Sequence, residues 1–345
     1  MNHDKYINEA ADCLLQIRPD PVPRYRILRD ILRRPDGDPE LDDAKTAALG
    51  SRWVNELTEE QNRDGGWGRF HSMNSKARRR VATTEGGVAR AVQIGLNPGD
   101  KILERATKYL AGLLRGKIPW PEHSEPNDQW PAGQEMFVAA TLAEIQPDHE
   151  LLEPVCQKWI AIAEQTFSSG RYDAERECRA HCELRGATTM RNSYLVLNNR
   201  YATFLLACHE HQLSDRTEKA LVEWIWKDCG KLGYLNAPLA KPVERLCPTV
   251  THRWFRSQMI MSRFRSWPSK NWETIRRLWD MQNAEGLWDF GATPGLRLSE
   301  DWRKVMNRAI DHSVFVLLLL RAHYDANQKD SPNQCIQRTS HSHRR

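Results

Sequence analysis

Two side chains suited to acid/base chemistry, His71 and Glu85, lie on either side of a predicted loop that leads into an apolar helix. An imidazole and a carboxylate are the groups that proteins use most often to move protons during catalysis. Arg69 and Thr84 stand beside them and are candidate ligand-binding residues. A structural explanation stays open, because Thr84 also suits a helix N-cap and Glu85 an acidic first turn.

A second acid/base pair, Asp311 and His312, opens the last apolar segment of the chain. Adjacent residues on a helix do not face each other, so each would need a partner from another helix. If the first and last apolar helices are neighbours, Asp311 or His312 is expected to meet Glu85. All three residues are therefore candidate catalytic groups.

Further candidates stand near the starts of the intermediate apolar segments. Asp128, a candidate catalytic carboxylate, precedes Trp130, and a carboxylate beside an indole suits a cation or a sugar ring. Asn198 and Tyr201 are predicted to lie inside an apolar helix, where a buried amide is unfavourable unless it is hydrogen-bonded. Trp130, Asn198 and Tyr201 are therefore candidate ligand-binding residues, whereas Asp128 also suits a simple helix cap.

Arg253 and Trp254 complete the set of candidate ligand-binding residues. The chain has 13 tryptophans, and four of those outside the predicted turns are expected to line a cavity: Trp130, Trp254, Trp267 and Trp302. Aromatic rings stabilise cations through their quadrupoles and stack equally well on sugar faces. The tryptophans therefore indicate an aromatic cavity without choosing its ligand.

These candidates are carried by elements that the hydrophobic pattern predicts to be helices. Apolar residues recur at helical spacing through most of the chain, and alternating β-branched runs bounded by hairpin turns do not occur. The sequence therefore predicts an all-α fold. Segments that are apolar on all sides are predicted to be buried, and they span residues 84–96, 133–145, 193–209, 253–264 and 311–324.

A glycine-plus-aromatic turn recurs along the chain at intervals of about 50–60 residues, a length that suits one helical hairpin with its loops. Its aromatic residues are Trp67, Trp120, Tyr172, Tyr234 and Trp288. Between these turns the apolar segments alternate with more mixed helices. The alternation predicts an inner and an outer ring of helices, an (α/α) toroid of about five to six hairpins.

Two of these turns resemble a known motif. Residues 61–67 are QNRDGGW and residues 282–288 are QNAEGLW. Both resemble the QW motif of squalene–hopene cyclases and related triterpene cyclases, and related turns occur in protein prenyltransferase β subunits. The resemblance covers residues 50–325 and implies a toroid whose central cavity, at the N-terminal ends of the inner helices, is the functional site.

The turn itself is predicted to have a structural role. Gly65 and Gly66 permit positive φ and close backbone approach, which suits the end of a helix. Trp67 and Gln61 are expected to tie neighbouring hairpins together through the indole and the amide. A phosphate-binding loop is excluded, because no buried strand precedes GGWG and no Lys-Ser or Lys-Thr follows it.

Several features of the resembled families are missing from this sequence. The D-x-D-D motif with which triterpene cyclases protonate an alkene does not occur, and the nearest string, ELDD at residues 40–43, suits an acidic first turn. Diphosphate-binding D-D-x-x-D and N-S-E motifs and the zinc ligands of prenyltransferases are not matched. The chain has room for a single barrel, so the resemblance implies a ligand smaller or more polar than squalene.

Composition sets further limits. The net charge of +5 is far from the concentrated charge of a dedicated nucleic-acid binder. The eight cysteines are scattered, so free thiols are expected, without a metal or cofactor.

No signal core and no membrane-spanning run are found, which predicts a cytoplasmic protein. We expect one domain over residues 1–326, with N-terminal helices at 1–60, and a disordered tail over 327–345.

The leading functional hypothesis is an enzyme resembling the terpene cyclase and prenyltransferase-like toroids, with acid/base chemistry on an isoprenoid or another small organic ligand. One alternative is a carbohydrate-active lyase or hydrolase that uses two carboxylates such as Glu85 and Asp128. Another is a non-catalytic ligand-binding or scaffold protein, which the missing D-x-D-D motif favours. The expected partner is a small molecule, either an isoprenoid or a saccharide.

Overall fold

Helices provide the regular secondary structure of this chain. The computed structural model describes residues 3–72, 78–186 and 194–329, and within these ranges it has fourteen α-helices and no β-strand. The all-α prediction is therefore confirmed. No helix in the described ranges is long and apolar enough to cross a bilayer.

The helices follow one another along the chain with connections of very different length, the longest of them before α5, α12 and α14. The N-terminal part contains α1 (His3–Gln16), α2 (Pro21–Arg26), α3 (Pro39–Leu49) and α4 (Arg52–Glu60). The remaining helices are α5 (Thr84–Gln93), α6 (Lys101–Leu114), α7 (Trp130–Ile145), α8 (Glu153–Thr166), α9 (Ala174–Arg185), α10 (Arg200–Cys208), α11 (Asp215–Trp224), α12 (Pro248–Met261), α13 (Trp267–Asp280) and α14 (Val305–Lys329).

The segments predicted to be buried coincide with α5, α7, α10, α12 and α14. Each of these helices contacts the next: α5 packs on α7, α7 on α10, α10 on α12 and α12 on α14. Residues 136–143 of α7 are all buried in succession. An unbroken buried run requires every face of a helix to be covered, because the helix turns about once per 3.6 residues. α7 is therefore covered on every face, and these five helices, each in contact with the next, are called the interior helices below.

The helices between them are amphipathic and cover the interior. α6 packs on α5 and α7, α8 packs on α7 and α10, and α13 packs on α14. In α13 the buried residues Trp267, Asn271, Ile275 and Leu278 recur every three or four positions and occupy one face. Interior and covering helices therefore alternate along the chain.

The N-terminal helices lie between the first and the last interior helix. α1 and α2 contact α14. Arg26, at the end of α2, donates hydrogen bonds to the carbonyl oxygens of Val92 and Gln93 at 3.0 and 2.6 Å. The last carbonyls of a helix have no partner within it, and this guanidinium satisfies two of them at the end of α5. The N-terminal segment is thereby fastened to both α5 and α14.

The two turns with QW-like sequences have matching hydrogen bonds. The Gln61 side-chain amide donates to the carbonyl oxygen of Gly65 at 2.9 Å, and the Gln282 amide donates to that of Gly286 at 2.7 Å. Gly65 and Gly286 both have positive φ, 103° and 77°. Glycine adopts this backbone conformation without steric penalty. The repeat inferred from the sequence is therefore also a repeat of local structure.

The tryptophan of each turn reaches back to the helix that precedes it. Nε1 of Trp67 donates to the carbonyl oxygen of Leu57 at 2.9 Å, and Nε1 of Trp288 donates to that of Leu278 at 2.6 Å. Both indoles are buried. Leu57 and Leu278 lie in the last turns of α4 and α13, where carbonyls lack helical partners. Each tryptophan therefore closes the end of a helix.

Several helix boundaries differ from those predicted; α12 begins at Pro248 and α14 at Val305, each before its predicted start. The third interior helix begins at Arg200, because the Asn199 side chain accepts a hydrogen bond from the Tyr201 amide at 2.9 Å and caps it there. Residues 187–193, where this helix was predicted to begin, lie outside the described residues. α14 continues to Lys329, so the start of the predicted tail is helical, and residues 330–345 lie outside the described part of the chain.

Candidate functional site

Polar side chains from three segments meet at the carboxylate of Glu85. Nδ1 of His71 lies 2.9 Å from Oε2 of Glu85, and the Tyr201 hydroxyl donates to the same oxygen at 2.8 Å. The hydroxyl oxygen also lies 3.1 Å from Nδ1 of His71. The structure therefore brings together three residues that the sequence singled out separately.

Arg200 binds the other side of this carboxylate. Its guanidinium forms an ion pair with Oε1 of Glu85, approaches Glu144 to 3.8 Å and lies 3.8 Å from the centroid of the Tyr201 ring. Arg256 forms an ion pair with the same Glu144. Arg200 is only 7% exposed, so these carboxylates compensate for the loss of its hydration.

Backbone pairing brings His71 and Glu85 to the same place. The segment after the first QW-like turn lies along the start of α5. The Thr84 amide donates to the carbonyl oxygen of Arg69 at 2.8 Å, and the Glu85 amide donates to that of Phe70 at 3.2 Å. His71 follows directly, so its side chain emerges beside the first turn of α5.

A similar pairing brings Tyr234 to the cluster. The Gly233 amide donates to the carbonyl oxygen of Asn198 at 2.8 Å, and the Arg200 amide donates to that of Gly233 at 3.3 Å. Tyr234 has φ of 65°, a left-handed conformation that is unfavourable for residues other than glycine. Its ring lies edge-on to His71, with 5.8 Å between centroids. The strained backbone therefore positions an aromatic ring at the site.

Aromatic rings form the wall against which His71 rests. The imidazole stacks on Phe137 with 4.9 Å between centroids and 3° between planes. Tyr201 and Tyr234 meet Phe137 edge-on, at 4.8 and 6.2 Å between centroids. Phe137 and Tyr201 are buried, whereas Tyr234 is 42% exposed and forms the rim. Packing of this kind fixes the plane of the imidazole.

Burial sets the protonation states in the cluster. It lowers the pKa of His71 below its usual value and raises the pKa of Tyr201 above its usual value, because the charged form of each loses hydration. Burial, reinforced by the charge of Arg256, lowers the pKa of Arg200 to about 9, so Arg200 is still a cation at neutral pH. Burial therefore favours the neutral imidazole form of His71.

The tautomer of His71 follows from its contact with Glu85. An ionised carboxylate only accepts hydrogen bonds, so the neutral imidazole carries its proton on Nδ1. Nε2 then carries the lone pair. No residue of the described chain hydrogen-bonds Nε2, and the side chain is 27% exposed. His71 is therefore arranged to accept a proton at an accessible nitrogen.

Arg200 and Tyr201 also line a cavity of about 410 Å³. Its lining comes from all five interior helices and includes residues near the C-terminal ends of α5, α7 and α14, such as Val92, Glu144 and Ala322. The resemblance to triterpene cyclases implied a cavity at the N-terminal ends instead. His71 and Glu85, at the N-terminal end of α5, do not line this cavity, and Arg200 and Tyr201 connect them to it.

The tryptophans expected to line a cavity are instead packed in the interior. Trp254 and Trp267 are fully buried, and Trp302 is 7% exposed. The Trp254 indole nitrogen donates to a backbone carbonyl at 3.3 Å. Trp130 comes closest to the expected role, because its ring lies edge-on to Phe137 at 6.3 Å. The aromatic wall of the site consists mainly of phenylalanine and tyrosine.

Asp311 anchors the loop that precedes α14. It accepts hydrogen bonds from the Leu298 amide at 2.7 Å, from the Ser299 amide at 3.0 Å and from the Ser299 hydroxyl at 2.7 Å. Burial raises the pKa of Asp311 to about 6, although these hydrogen bonds act in the opposite direction. The expected meeting with Glu85 is not observed among the described contacts.

His312 holds the segment that follows the second QW-like turn. Its Nδ1 accepts a hydrogen bond from the Phe290 amide at 3.1 Å and lies 3.3 Å from Asp289. Burial lowers the pKa of His312 to about 4, so the imidazole is neutral. The His312 side chain is fully buried. Its described contacts are therefore those of a buried structural residue.

Thr84 and Ser313 accept equivalent hydrogen bonds from the tryptophan amides of the two QW-like turns. The Trp67 amide donates to Oγ1 of Thr84 at 2.9 Å, and the Trp288 amide donates to Oγ of Ser313 at 3.1 Å. The Thr84 hydroxyl in turn donates to the carbonyl oxygen of Trp67 at 3.0 Å. Both hydrogen-bonding capacities of Thr84 are therefore used within the protein.

The other candidates lie outside the polar cluster. Arg69, Asp128 and Arg253 are exposed at the surface. Asn198 is half-buried, and its side chain forms a hydrogen bond with the thiol of Cys229. The described contacts of these four residues do not join them to Glu85.

Sequence reasoning missed Arg200, Glu144 and Phe137. Arg200 and Glu144 both stand within predicted apolar segments, where an unpaired charge would be strongly unfavourable. That signal could have identified them as a buried ion pair. Phe137 gives no comparable signal, because an aromatic residue in a buried helix is common.

No family model, no curated protein and no solved structure matches this chain. Across residues 3–72, 78–186 and 194–329, no three side chains of His, Cys, Asp or Glu are grouped as metal ligands. The polar cluster is therefore interpreted from its own geometry.

Proposed function

We propose that this chain is an enzyme that uses His71 as a general base on a small organic ligand bound at the aromatic wall. Glu85 orients the imidazole, and Tyr201 and Arg200 hold the Glu85 carboxylate. One observation carries this proposal: neutral His71 directs Nδ1 at a carboxylate, 2.9 Å away, and presents Nε2 without a partner in the described protein.

An imidazole with an orienting carboxylate is a recurring arrangement for proton transfer. The hydrogen bond from Nδ1 to Glu85 fixes the tautomer, so the lone pair lies at Nε2. When Nε2 takes a proton from a ligand, the adjacent carboxylate stabilises the imidazolium that forms. The stacked ring of Phe137 keeps the imidazole plane fixed during this step.

Glu85 itself is poorly suited to donate a proton. Its Oε1 is paired with Arg200, and its Oε2 accepts from Tyr201 and lies beside Nδ1 of His71. Contacts of this kind favour the ionised carboxylate. An acid that protonates an alkene requires a neutral carboxyl group. We therefore propose base catalysis in place of the alkene protonation that the family resemblance implies.

We further propose that the interior and covering helices form an (α/α) toroid. Two observations support this arrangement: the successive contacts from α5 to α14 and the matching hydrogen bonds of the two QW-like turns. The wall of Phe137, Tyr201 and Tyr234 suits an isoprenoid or the face of a saccharide. A small ligand of either class would bring a proton within reach of Nε2.

A non-catalytic ligand-binding protein is the second candidate. The full set of hydrogen bonds and ion pairs around Glu85 favours it, because buried polar clusters also serve to fix a fold. The two candidates differ in one property. Only the enzyme removes a proton from its ligand at Nε2 of His71.

Deuterium incorporation from heavy water tests this difference directly. The protein is incubated in D₂O with isoprenoid aldehydes, small ketones and reducing sugars, and mass spectrometry follows exchange at carbon. We expect the unmodified protein to catalyse exchange in at least one of these ligands. His71→Asn should lower that rate by about 10²–10⁴-fold, the usual contribution of a general base.

His211→Asn is the matched control, because His211 is an exposed histidine outside the cluster. It should retain the full exchange rate. If the unmodified protein binds a ligand of the panel without any exchange, the enzyme proposal is overturned in favour of the second candidate. An unchanged rate in His71→Asn would equally refute His71 as the base.

A further inference from the structure

We propose that the 410 Å³ cavity beside Arg200 and Tyr201 binds an amphipathic carboxylate, with its head group at Arg263 and its alkyl tail in the interior. This binding site is separate from the accessible nitrogen of His71. It does not require proton transfer, so it stands or falls independently of the proposed enzyme activity.

The apolar part of the lining provides the binding surface for the alkyl tail. Apolar side chains from all five interior helices and the segment after α12 face the cavity, among them Val92, Ala140, Phe204, Met259, Phe264 and Ala322. The volume falls within the range of about 300–1,000 Å³ that is usual for small-molecule sites. Each methylene group buried there strengthens binding about fourfold.

The charged groups deep in the lining already have partners. Arg256 forms an ion pair with Glu144, and Arg200 lies between Glu144 and Glu85. These two guanidinium groups and two carboxylates balance one another. A ligand head group therefore gains little by binding among them.

The charged groups at the outer lining are mostly paired as well. Arg265 lies 2.8 Å from a carboxylate oxygen of Glu210 and 2.6 Å from one of Asp215. Asp325 forms an ion pair with Arg33. All three lining carboxylates, those of Glu144, Glu210 and Asp325, thus have cationic partners in the protein.

Arg263 is the exception among the described lining residues. Its guanidinium lies 5.1 Å from the centroid of the Phe204 ring, and it donates to the Cys208 sulfur at 3.7 Å. No carboxylate of the described chain forms an ion pair with it. Arg263 is exposed, which places a hydrated cation at the edge of an apolar cavity.

An apolar cavity with one unpaired arginine at its edge favours an anionic amphiphile over a cationic or a neutral one. A carboxylate can take a charge-assisted bidentate hydrogen bond from Arg263 while its tail packs on Phe204. A cationic amphiphile would face the charge of Arg263 and find each lining carboxylate already paired. A neutral alcohol would bury the same tail but gain no charge-assisted bond.

Isothermal titration calorimetry of the full chain with decanoate, decanol and decylammonium tests the proposal. We expect decanoate to bind most tightly and decylammonium to show no binding. Arg263→Gln should weaken decanoate binding by about tenfold or more and leave decanol unchanged, since only the head group contact is lost. Ala322→Phe, which fills the cavity, should remove binding of both.

Arg276→Gln is the matched control, because Arg276 is an exposed arginine on α13 that lies over the Trp272 ring and does not line the cavity. It should bind decanoate as the unmodified protein does. Equal affinity for all three amphiphiles, or equal decanoate affinity in Arg263→Gln and Arg276→Gln, would overturn the proposal. Circular dichroism of Ala322→Phe verifies that its helices remain, and decanoate binding by a folded Ala322→Phe would also refute it.

Discussion

Nδ1 of His71 and Oε2 of Glu85 lie 2.9 Å apart, at the junction between the first QW-like turn and the helix that follows it. The Tyr201 hydroxyl reaches the same oxygen from α10, at 2.8 Å. Because Arg200 pairs with the other oxygen, the charge of each group depends on its neighbours. The cluster therefore acts as one electrostatic unit, and single substitutions in it have distinct expected effects.

Removing the charge of Glu85 should destabilise the protein more than removing one of its hydrogen bonds. Glu85→Gln leaves buried Arg200 without its closest counter-charge, and breaking a buried ion pair costs about 3–5 kcal/mol. We expect the low end of that range, since Arg200 still approaches Glu144 to 3.8 Å. Tyr201→Phe should cost only about 1 kcal/mol. Urea unfolding at pH 7 measures both, and equal losses would contradict the described ion pair.

Tyr234 should limit stability while supporting the site. Its φ of 65° is strained for a non-glycine residue, and Tyr234→Gly relieves about 1 kcal/mol or more. We expect an unchanged or higher melting temperature together with slower proton exchange in a ligand, because the rim ring is lost. Asn236→Gly is the control, since Asn236 has φ of 51° in the same loop. It should leave exchange unaffected, and slower exchange in Asn236→Gly would refute the role of the ring.

The two QW-like turns should differ sharply in their tolerance of alanine. A Cβ at Gly65 would lie 2.3 Å from the carbonyl oxygen of Arg105, whereas one at Gly286 would lie 3.5 Å from the Gln282 amide. Both substitutions impose positive φ on alanine, which costs about 1–2 kcal/mol. Gly65→Ala adds a backbone clash, so we expect a loss of about 3 kcal/mol or more. Denaturant unfolding of both variants gives the comparison, and similar losses would contradict it.

Stability should fall as the solution is made acidic. Burial lowers the pKa of His181 to about 3 and that of His312 to about 4, whereas an unfolded histidine has a pKa of about 6.5. Below that value the unfolded chain binds protons that the folded protein does not. The stability that each neutral histidine contributes is therefore fully present above about pH 6.5. As the pH falls from there toward the pKa of the histidine in the folded protein, this stability decreases by about 1.4 kcal/mol per pH unit.

Asp311 acts in the opposite direction. Its pKa of about 6 lies above the unfolded value of about 3.9, so it favours the folded state as the pH falls from about 6 to about 4. The two histidines outweigh it, and these three groups together lower the stability by about 2–3 kcal/mol between pH 7 and pH 5, to which His252 and His323 add because their pKa values are also lowered to about 4. His312→Asn keeps an acceptor for the Phe290 amide but does not titrate. Urea unfolding of this variant should show a smaller loss, and an unchanged loss would exclude His312 as a cause.

Much of the local structure was predictable from the sequence because it depends on short-range rules. The QW-like turns repeat the same residue types, and Gln61 and Gln282 form matching hydrogen bonds. His71 and Glu85 are joined by one loop, so their proximity follows from the pairing of that loop with the start of α5. The burial of α7 was predictable because its apolar character extends around every face.

The rest of the site depends on contacts between distant segments. Glu85 meets Arg200 on α10, and Arg200 approaches Glu144 on α7. No periodicity in one sequence specifies which buried charges become partners. The same limit explains Asp311, whose partners at Leu298 and Ser299 depend on the path of a loop. A buried charge can be recognised from sequence, but its counter-charge requires the fold.

Arg200 is part of both the polar cluster around Glu85 and the lining of the cavity. Its guanidinium pairs with the carboxylate that orients His71, and its side chain also lines the cavity. An occupant of the cavity that shifts this guanidinium changes the charge felt by Glu85, and hence the basicity of the imidazole. Thermodynamic linkage makes such an effect reciprocal, so a ligand at His71 would alter affinity in the cavity by the same factor. One side chain thus provides a physical route for communication between two ligands.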